Sequence, residues 1–558
     1  MSKIWKTVTI SLISFMLINA VWDNSSQFVY SKADLSPFSF LSVHNSINIQ
    51  NDTAFTTYGF PGNGTALDPY RIENLQITTM NETGISIFNT SKYFIIQNCN
   101  VSATTTGIEI SNVASGTASI ISNTCNFQTY GIRVFSSNGT SVINNTCQNN
   151  YRHGINFGFS SDCIAEDNSC INNGWIGAFL SGCYKSQIIN NTCLGNEWGG
   201  VILDNCSYSV IKYNKCYEND YLGGLRIYGS PFSRIIENVF ENNIPYSICS
   251  VYSPNAQVIR NSITGEFSGI NILESQNNTI EDNLLTESPS GLFVKNSEDT
   301  NIKGNSFILS GLTTMENEVE VYSSYHLEDN FVNGKELGFF VNLDNYKIKE
   351  PRYGQLIIIN CNQMEVLNQV IEQTTVGIQI ERCEDLLIKN SKFLDNLKGG
   401  VRIVQSKYID VLNNTISLND FYGMLVENSS FCEISYNCFE KNYYWAIILD
   451  EETKNNLIHH NSFLKNNLWY GTSQAADDGK YNVWYDLDSE EGNYWSNYAG
   501  TGNYSIDGLA NVYDLYPLTE PAVYISASHY GYFAFLSFVI VIPAVVIGLK
   551  KYRKRKEL

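Results

Sequence analysis

The stretch GIRVFSSNGTSVINNTCQNNYRHGI, residues 131–155, contains one complete unit of a repeat that runs along most of this chain. Each unit opens with a glycine and a short apolar segment. In the main run the next glycine follows after 23 or 24 residues. The glycines are Gly84, Gly107, Gly131, Gly154, Gly177, Gly200 and Gly224, and the spacing resumes at Gly269, Gly291, Gly377, Gly400 and Gly423. Self-similarity at such a period predicts a stacked repeat array.

Strand-like segments recur in every unit. After each glycine, apolar residues alternate with polar ones, as in Gly131-Ile132-Arg133-Val134, a pattern typical of a half-buried strand. A second apolar segment ends in asparagine, as in Ile188-Ile189-Asn190-Asn191. Such short strands cannot enclose a core alone, but parallel coils stacked about 4.8 Å apart can. Because helical patterns are nearly absent, the sequence predicts an all-β fold, a parallel β-helix with coils, here called rungs, of 22–24 residues.

Two columns of residues support this stacking. Asparagine recurs at Asn145, Asn168, Asn191, Asn214, Asn238 and Asn261, which predicts a ladder of hydrogen-bonded amides. Two residues later come Cys147, Cys170, Cys193 and Cys216, followed by Phe240, Ile263, Leu285 and Phe307. Because cysteine shares this column with large apolar residues, we interpret the position as inward and hydrophobic. Parallel side chains on adjacent rungs suit disulfide geometry badly, and no metal site is predicted.

The two ends of the chain predict a membrane protein. Lys3 and Lys6 precede an apolar run, so residues 1–22 are interpreted as a signal peptide or N-terminal anchor. Residues 532–549 are apolar and just long enough to span a bilayer. The basic tail 550–558 belongs on the cytoplasmic side. We therefore expect a single-pass protein of the cell membrane whose repeats lie outside.

Charge and composition narrow the range of partners. The formal net charge is -20, from 55 acidic and 35 basic residues. Nucleic acid is excluded as a partner, because phosphate binding needs a basic surface. Acceptor sequences for N-glycosylation, such as those at Asn63, Asn81 and Asn138, suit an extracellular glycoprotein. Those at Asn144 and Asn190 overlap the asparagine column and are expected to be buried.

Three further segments lie outside the plain repeats: Gly62–Asn74, Asp329–Lys335 followed by Gly354–Cys361, and Gly492–Tyr498 with Asp514–Leu518. They resemble the entry cap, the insertion and the exit segment of the NosD-like β-helix proteins found on archaeal surfaces. The resemblance implies a right-handed β-helix over 45–465 with an insertion around 308–353, followed by an exit segment, 466–521. It also implies a fold of the carbohydrate-binding and sugar-hydrolase type. The copper role of the family's namesake transfers poorly, because adjacent residues such as His459 and His460 are expected to point to opposite faces of a strand.

An aromatic column just before the repeat glycines is the main candidate for ligand binding. Its members are Tyr151, Trp175, Trp198 and Tyr221, and adjacent rungs would place their rings about 4.8 Å apart. Sugar rings stack their apolar faces on such side chains. The alternative is a purely structural column, because stacked rings stabilise one another. We expect Trp175 and Trp198 to be the ligand contacts.

Paired carboxylates are the candidates for catalysis. Glu427 and Asp450 fall one repeat apart, so they would be neighbours on adjacent rungs, where two carboxylates can hydrolyse a glycosidic bond or bind Ca²⁺. Both acids lie four residues after a repeat position, Gly423 or Ala446, which is an outward position in an alternating strand. This instead indicates ordinary acids facing solvent. A lyase would need a cationic base, for which Arg402 and Lys407 are available. The acidic pairs around 477–479 and 486–488 are weaker candidates for a structural ion.

The sequence thus predicts a membrane-anchored extracellular β-helix that binds surface polysaccharides or neighbouring surface proteins, without a cofactor. The alternative is a polysaccharide hydrolase or lyase acting on a face of the β-helix. A second alternative is a copper-delivery accessory factor. A perturbed pair of acids converging with a base in a groove would favour the enzyme, whereas a smooth acidic face would favour binding.

Overall fold

The computed structural model describes residues 41–265, 267–467 and 473–522. The chain forms a right-handed, all-β parallel solenoid of about 17 turns, which confirms the predicted parallel β-helix. Within these described ranges no helix is long and apolar enough to cross a membrane. The predicted signal segment 1–22, the predicted span 532–549 and the basic tail 550–558 all lie outside the described residues.

The described rungs form two stacks, one before and one after the insertion. The first stack, residues 42–332, has three sheets, with three short strands in most rungs. Sheet 1 continues into the second stack, and its strands up to the insertion are Ser42–His44, Leu75–Thr78, Asn100–Ser102, Thr124–Asn126, Thr146–Gln148, Ser169–Ile171, Thr192–Leu194, Lys215–Tyr217, Val239–Glu241, Ser262–Thr264, Leu284–Thr286, Ser306–Ile308 and Phe331–Val332. Sheet 2 contains Ile47–Ile49, Thr83–Phe88, Thr106–Ser111, Tyr130–Phe135, His153–Gly158, Ile176–Ser181, Gly199–Asp204, Leu225–Tyr228, Tyr246–Val251, Ser268–Leu273, Ser290–Lys295 and Leu312–Met315. Sheet 3 contains Tyr70–Glu73, Phe94–Gln97, Ala118–Ile121, Ser141–Ile143, Ile164–Glu166, Gln187–Ile189, Val210–Lys212, Arg234–Ile236, Gln257–Ile259, Thr279–Glu281, Asn301–Lys303 and His326–Glu328.

The second stack has its own pair of sheets beside the continuation of sheet 1. The later strands of sheet 1 are Lys335–Val341, Tyr353–Ile359, Val376–Glu381, Gly399–Val404, Tyr422–Glu427, Ile447–Leu449 and Ala475–Asp477. Sheet 4 contains Lys347–Ile348, Asn362–Leu367, Glu384–Lys389, Lys407–Leu412, Glu433–Ser435 and Leu457–His459. Sheet 5 contains Val370–Glu372, Lys392–Leu394, Thr415–Ser417, Cys438–Glu440, Ser462–Leu464 and Tyr494–Trp495. A separate antiparallel pair, Tyr504–Ser505 and Tyr513–Asp514, lies near the C-terminal end.

In the part of the chain that the structure describes, two short helices interrupt the strands, at the start of the solenoid and at the insertion. Helix α1, Ala54–Tyr58, places Phe55 in the hydrophobic core of the first stack, where its ring stacks on Tyr70 at 4.5 Å between centroids. Helix α2, Val319–Ser323, lies in the insertion and places Tyr322 in the interior. One aromatic side chain from each helix, Phe55 and Tyr322, therefore extends the hydrophobic core of the first stack.

The repeat glycines are required by close packing between rungs. A Cβ atom added at Gly154 would lie 2.7 Å from the carbonyl oxygen of Gly177 on the next rung, and one added at Gly177 would lie 2.7 Å from that of Gly200. These glycines do not have a left-handed backbone, so the constraint is contact with the neighbouring rung. The near-constant spacing therefore records where the backbones of successive rungs approach most closely.

Hydrogen-bonded ladders hold the corners, as the asparagine column predicted. Asn191 donates its side-chain N–H to the side-chain oxygen of Asn214 at 3.0 Å, and the backbone N–H of Asn191 donates to the same oxygen at 2.9 Å. A second amide ladder, Asn150, Asn173, Asn196, Asn219 and Asn243, follows the next corner. The expectation that the acceptor sequences in the first column are buried is wrong: Asn144 and Asn190 are exposed at left-handed corners.

The inward column of cysteines is also confirmed. Cys147, Cys170 and Cys193 are paired in register on neighbouring rungs and are fully buried. Farther along, Cys216 is in register with Phe240. Every cysteine in the described ranges is free. The column therefore belongs to the hydrophobic core of the first stack.

The two stacks meet at the insertion, where the strands that follow the glycines change sheet. In the first stack these strands form sheet 2, whereas Gly377, Gly400 and Gly423 open strands of sheet 1. The strand Tyr353–Ile359 lies between two cores: Ile357 and Ile359 pack in the first, and Leu356 and Ile358 in the second. The outer side of the next strand is covered by the end of sheet 2, because Gln379 donates to the carbonyl of Thr314 at 3.0 Å.

Candidate functional site

The predicted aromatic column lies at the corner between sheets 1 and 2. The rings of Trp175 and Trp198 stack at 4.9 Å with an angle of 15° between their planes. Tyr221 follows Trp198 at 5.1 Å, tilted by 38°. On the other side, the guanidinium of Arg152 lies 4.5 Å from the centre of the Trp175 ring. Arg152, Trp175, Trp198 and Tyr221 therefore form a continuous stack.

This stacking decides which ring faces a ligand can reach. Both faces of Trp175 are occupied, one by Arg152 and the other by Trp198, and Trp198 is covered by Trp175 and Tyr221. The two tryptophans thus present ring edges to solvent, rather than the flat platform expected from the sequence. Tyr151 is 73 % exposed and Tyr221 is 66 % exposed, so these two side chains offer the accessible ring surface.

Cationic and imidazole groups lie close to the start of this column. Arg152 donates to the hydroxyl of Tyr130 at 2.9 Å, and Arg133 pairs with Glu109 at 3.3 Å. His153 lies beneath the column, with its ring 5.5 Å from that of Trp175. Burial, assisted by the charge of Arg152, lowers the pKa of His153 to about 4. His153 is therefore neutral at physiological pH, and the arginines supply the local positive charge.

A second aromatic column, which the sequence reasoning missed, follows the corner between sheets 2 and 3. Tyr184 and Tyr208 lie 5.3 Å apart, and Tyr208 stacks on Phe232 at 4.7 Å with an angle of 10° between their planes. All three are partly exposed. Their recurrence every 24 residues was the available signal. The two columns run along the same rungs, so each is a natural control for the other.

The candidate catalytic acids face different partners. Glu427 is bound by the guanidinium of Arg402, with 2.7 Å between Nε and Oε2, and its side chain is only 31 % exposed. Asp450 accepts the backbone N–H of Asn428 at 2.9 Å and the hydroxyl of Thr453 at 2.6 Å. Glu427 thus neutralises a buried arginine, and Asp450 holds a corner. Neither acid is the ordinary solvent-facing residue that strand parity indicated.

A buried polar seam lies where the insertion packs on the second stack. Tyr322 donates to Glu381 at 2.7 Å, and Glu316 accepts from the hydroxyl of Tyr325 and the backbone N–H of Asn296. Burial raises the pKa of Glu316 to about 7 and also raises the pKa of Glu381. Perturbed acids often mark active sites. Here Glu316 and Glu381 are both buried where the insertion packs on the second stack, and both are hydrogen-bonded there, which favours a structural role.

Comparisons with known proteins agree with the architecture. The NosD family, described as periplasmic copper-binding proteins, matches residues 61–248 and 339–500, which is more than half of the chain. The chain belongs to the NosD family. A right-handed β-helix family also matches residues 177–332 of this chain. No curated protein matches it in sequence.

Solved structures similar to this chain match it at low identity and with low TM-scores. The periplasmic alginate epimerase AlgG is 11 % identical, over 79 % of this chain and 84 % of its own, with a TM-score of 0.24. The catalytic domain of a GH87 α-1,3-glucanase in complex with nigerose is 11 % identical, over 81 % and 67 %, with a TM-score of 0.22. The tailspike protein gp49 from Pseudomonas phage LKA1 is 12 % identical, over 64 % and 51 %, with a TM-score of 0.26.

The NosD family is described as copper-binding, and a cluster of metal donors lies in the described part of this chain. The expectation that His459 and His460 point to opposite faces is wrong. His459 ends a strand of sheet 4, and His460 has a left-handed backbone with φ 51°. This bend turns both rings to the same side, where the two Nδ1 atoms lie 2.6 Å apart. Asp486 completes a cluster in which one ligand atom per residue lies within 4.8 Å of the others.

Proposed function

We propose that this NosD-family protein is an exported, membrane-anchored β-helix that binds polysaccharide along the aromatic column at the corner between sheets 1 and 2. The observation that supports the proposal is the exposure of Tyr151 and Tyr221 on either side of the stacked tryptophans. The column spans successive rungs, whose spacing of about 4.8 Å is close to the length of one sugar residue.

The physical advantage of this surface is its rigidity. Trp175 and Trp198 are each held between two neighbours, and Tyr221 packs on Trp198, so these rings lose little side-chain freedom when a ligand binds and less of the binding free energy is lost to ordering. Open tyrosine faces suit the apolar faces of sugars. The positive ring edges of Trp175 and Trp198 suit oxygen atoms, and Arg133 and Arg152 add cationic donors nearby. This combination favours a polymer that carries hydroxyl and carboxylate groups.

The binding surface is tested with the double variant Tyr151→Ala/Tyr221→Ala. We expect the wild-type protein to be retarded in native gels that contain an acidic polysaccharide, and the variant to lose that retardation. Both side chains are mainly exposed, so folding should be retained. The matched control, Tyr184→Ala/Tyr208→Ala, removes rings from the second column and should leave the retardation unchanged.

The same experiment separates binding from the alternative functions. Equal retardation of both double variants would place the contact surface elsewhere and contradict the proposal. A reducing-sugar assay on the retarded polymer tests turnover. Cleavage that disappears in Glu427→Gln/Asp450→Asn, with folding retained, would favour a hydrolase or lyase. Turnover is not proposed, because Arg402 and Thr453 already bind these carboxylates.

The proposed location follows from the apolar segment 532–549 and the basic residues after it. We expect protease added to intact cells to remove the repeats and to leave the tail 550–558 protected. Two tags, one inserted at an exposed corner of the solenoid and one at the C-terminus, would report the two sides separately. Protection of both tags in intact cells would contradict the proposed location.

A further inference from the structure

The histidine pair brings two ring nitrogens together, with a carboxylate on the far side of each ring. His460 Nε2 lies 2.8 Å from a carboxylate oxygen of Glu491, and an ionised carboxylate can only accept a hydrogen bond, so this Nε2 carries the proton of its ring. In a neutral imidazole the other nitrogen, Nδ1, is then bare. His459 Nδ1 lies 2.6 Å from this bare nitrogen and is hydrogen-bonded to it, and His459 Nε2 lies 3.4 Å from a carboxylate oxygen of Glu433.

A cation can take the place of the proton that the two Nδ1 atoms share. A carboxylate oxygen of Asp486, in the exit segment, lies within 4.8 Å of a nitrogen of each ring, and the two oxygens of Asp486 also accept hydrogen bonds from the turn that follows it. Metal-bound histidines commonly donate their other N–H to a carboxylate, which fixes the tautomer and aims the free nitrogen at the ion. Glu491 makes this contact to His460, and Glu433 lies 3.4 Å from Nε2 of His459.

We propose that His459 Nδ1, His460 Nδ1 and a carboxylate oxygen of Asp486 bind a divalent transition-metal ion. Glu433 and Glu491 are positioning residues, because they contact the rings through Nε2. The site lies between sheet 4 and the exit segment of the second stack, away from the aromatic column. It is therefore independent of the proposed polysaccharide surface.

The surroundings hold both rings in place. The ring of Tyr436, one rung earlier, stacks on His460 at 4.8 Å with an angle of 14°. The backbone N–H of His460 donates to the carbonyl of Gly492 at 2.7 Å, which ties the strand end to the exit segment. The two histidines are 6 % and 8 % exposed. To form bonds of about 2.0–2.1 Å to one ion, the two nitrogens must separate to roughly 3 Å and the Asp486 oxygen must lie within about 4.2 Å of each of them.

The donor set indicates the class of ion. Imidazole nitrogen and carboxylate oxygen suit Cu²⁺, Zn²⁺ and Ni²⁺, whereas Cu⁺ prefers thiolate and thioether ligands. The cysteines of the described ranges are buried in the solenoid and contribute nothing to this cluster. Among divalent ions of the first row, Cu²⁺ binds such ligands most tightly. We therefore use Cu²⁺ as the probe.

The test uses the full-length protein, freed of metal with a chelator and titrated with Cu²⁺. We expect one high-affinity equivalent by calorimetry, with an electron paramagnetic resonance spectrum split by two imidazole nitrogens. The variant His459→Ser/His460→Asn should lose this equivalent and its nitrogen splitting. Both replacements suit their positions: Ser435 is in register with His459, and Asn413 has the same left-handed corner conformation as His460.

Three further variants make the result specific. His326→Asn removes an exposed histidine of the first stack and should leave Cu²⁺ binding unchanged. Glu491→Gln should weaken binding by about 10-fold or more, because it removes the carboxylate that orients His460. If the double histidine variant fails to fold, Asp486→Asn keeps both rings and should still weaken binding by about 10-fold or more.

The opposite results are equally clear. A wild-type protein that binds no Cu²⁺ with nitrogen splitting would show a hydrogen-bonded histidine pair only, with a proton shared between the rings. The same stoichiometry and spectrum in the wild type and in a folded His459→Ser/His460→Asn variant would place the bound copper elsewhere. Either result overturns the proposed site and leaves the polysaccharide proposal unaffected.

Discussion

Cys170→Asp is expected to lower the free energy of unfolding by more than about 3 kcal/mol, because it buries a charge without a partner. Cys170 is fully buried between Cys147 and Cys193, in the core of the first stack. The aspartate can become protonated, but it would still lack a hydrogen-bond partner in an apolar column. Chemical unfolding of the full chain, followed by circular dichroism, measures the difference.

Cys170→Val is the matched control. Valine is close to cysteine in volume and polarity, and the same column holds Phe240 and Ile263 farther along the stack. We therefore expect a change below about 1.5 kcal/mol, as for other swaps that conserve core volume. If valine were as damaging as aspartate, the thiol itself would be required, and the hydrophobic interpretation of the column would be wrong.

The second large effect is a dependence of stability on pH that Glu316 controls. Burial raises the pKa of Glu316 from 4.5 to about 7, with a smaller contribution from the carboxyl of Glu381. The folded protein therefore binds a proton at this site more tightly than the unfolded chain does. The free energy of unfolding should fall as pH rises from about 4.5 to 7 and become constant above this range, with a total loss of about 3 kcal/mol.

Glu316→Gln removes this ionisation and retains hydrogen-bonding atoms for Tyr325 and Asn296. We expect the variant to be more stable than the wild type at pH 8, with a smaller difference at pH 5. Glu320→Gln replaces an exposed acid of helix α2 and should follow the wild-type profile. Parallel profiles for the wild type and Glu316→Gln would show that the buried carboxyl does not carry the pH dependence.

The join between the stacks explains why this acid could not be identified from the sequence. Glu316 lies in the insertion, outside the repeat, and its neighbours come from distant parts of the chain: Asn296 from the first stack and Glu381 from the second. In the sequence, Glu381 lies four residues after the repeat glycine Gly377, which is an outward position in an alternating strand. It is buried because the hydroxyl of Tyr322 and the end of sheet 2 cover that side of its strand.

The chemistry of the candidate sites was predictable only in part. The spacing of Trp175 and Trp198 correctly indicated that their rings lie on adjacent rungs, but their face-to-face stacking depends on side-chain angles that spacing does not determine. Glu427 was placed beside Asp450 by the repeat. Its carboxylate is held instead by Arg402, because a long guanidinium side chain reaches across the strands of the same face.

The sequence by itself determined the solenoid, the spacing of its rungs, the asparagine ladder and the inward cysteine column, because these repeat with every rung. A contact made once per rung leaves a periodic trace, as the carbonyl of Gly177 does by excluding a Cβ atom at Gly154. The tertiary structure alone decided the change of sheet at the insertion, the buried seam and the histidine cluster. Each of these occurs once and joins residues from unrelated positions, and the left-handed backbone at His460 reverses a side-chain direction that strand alternation would otherwise set.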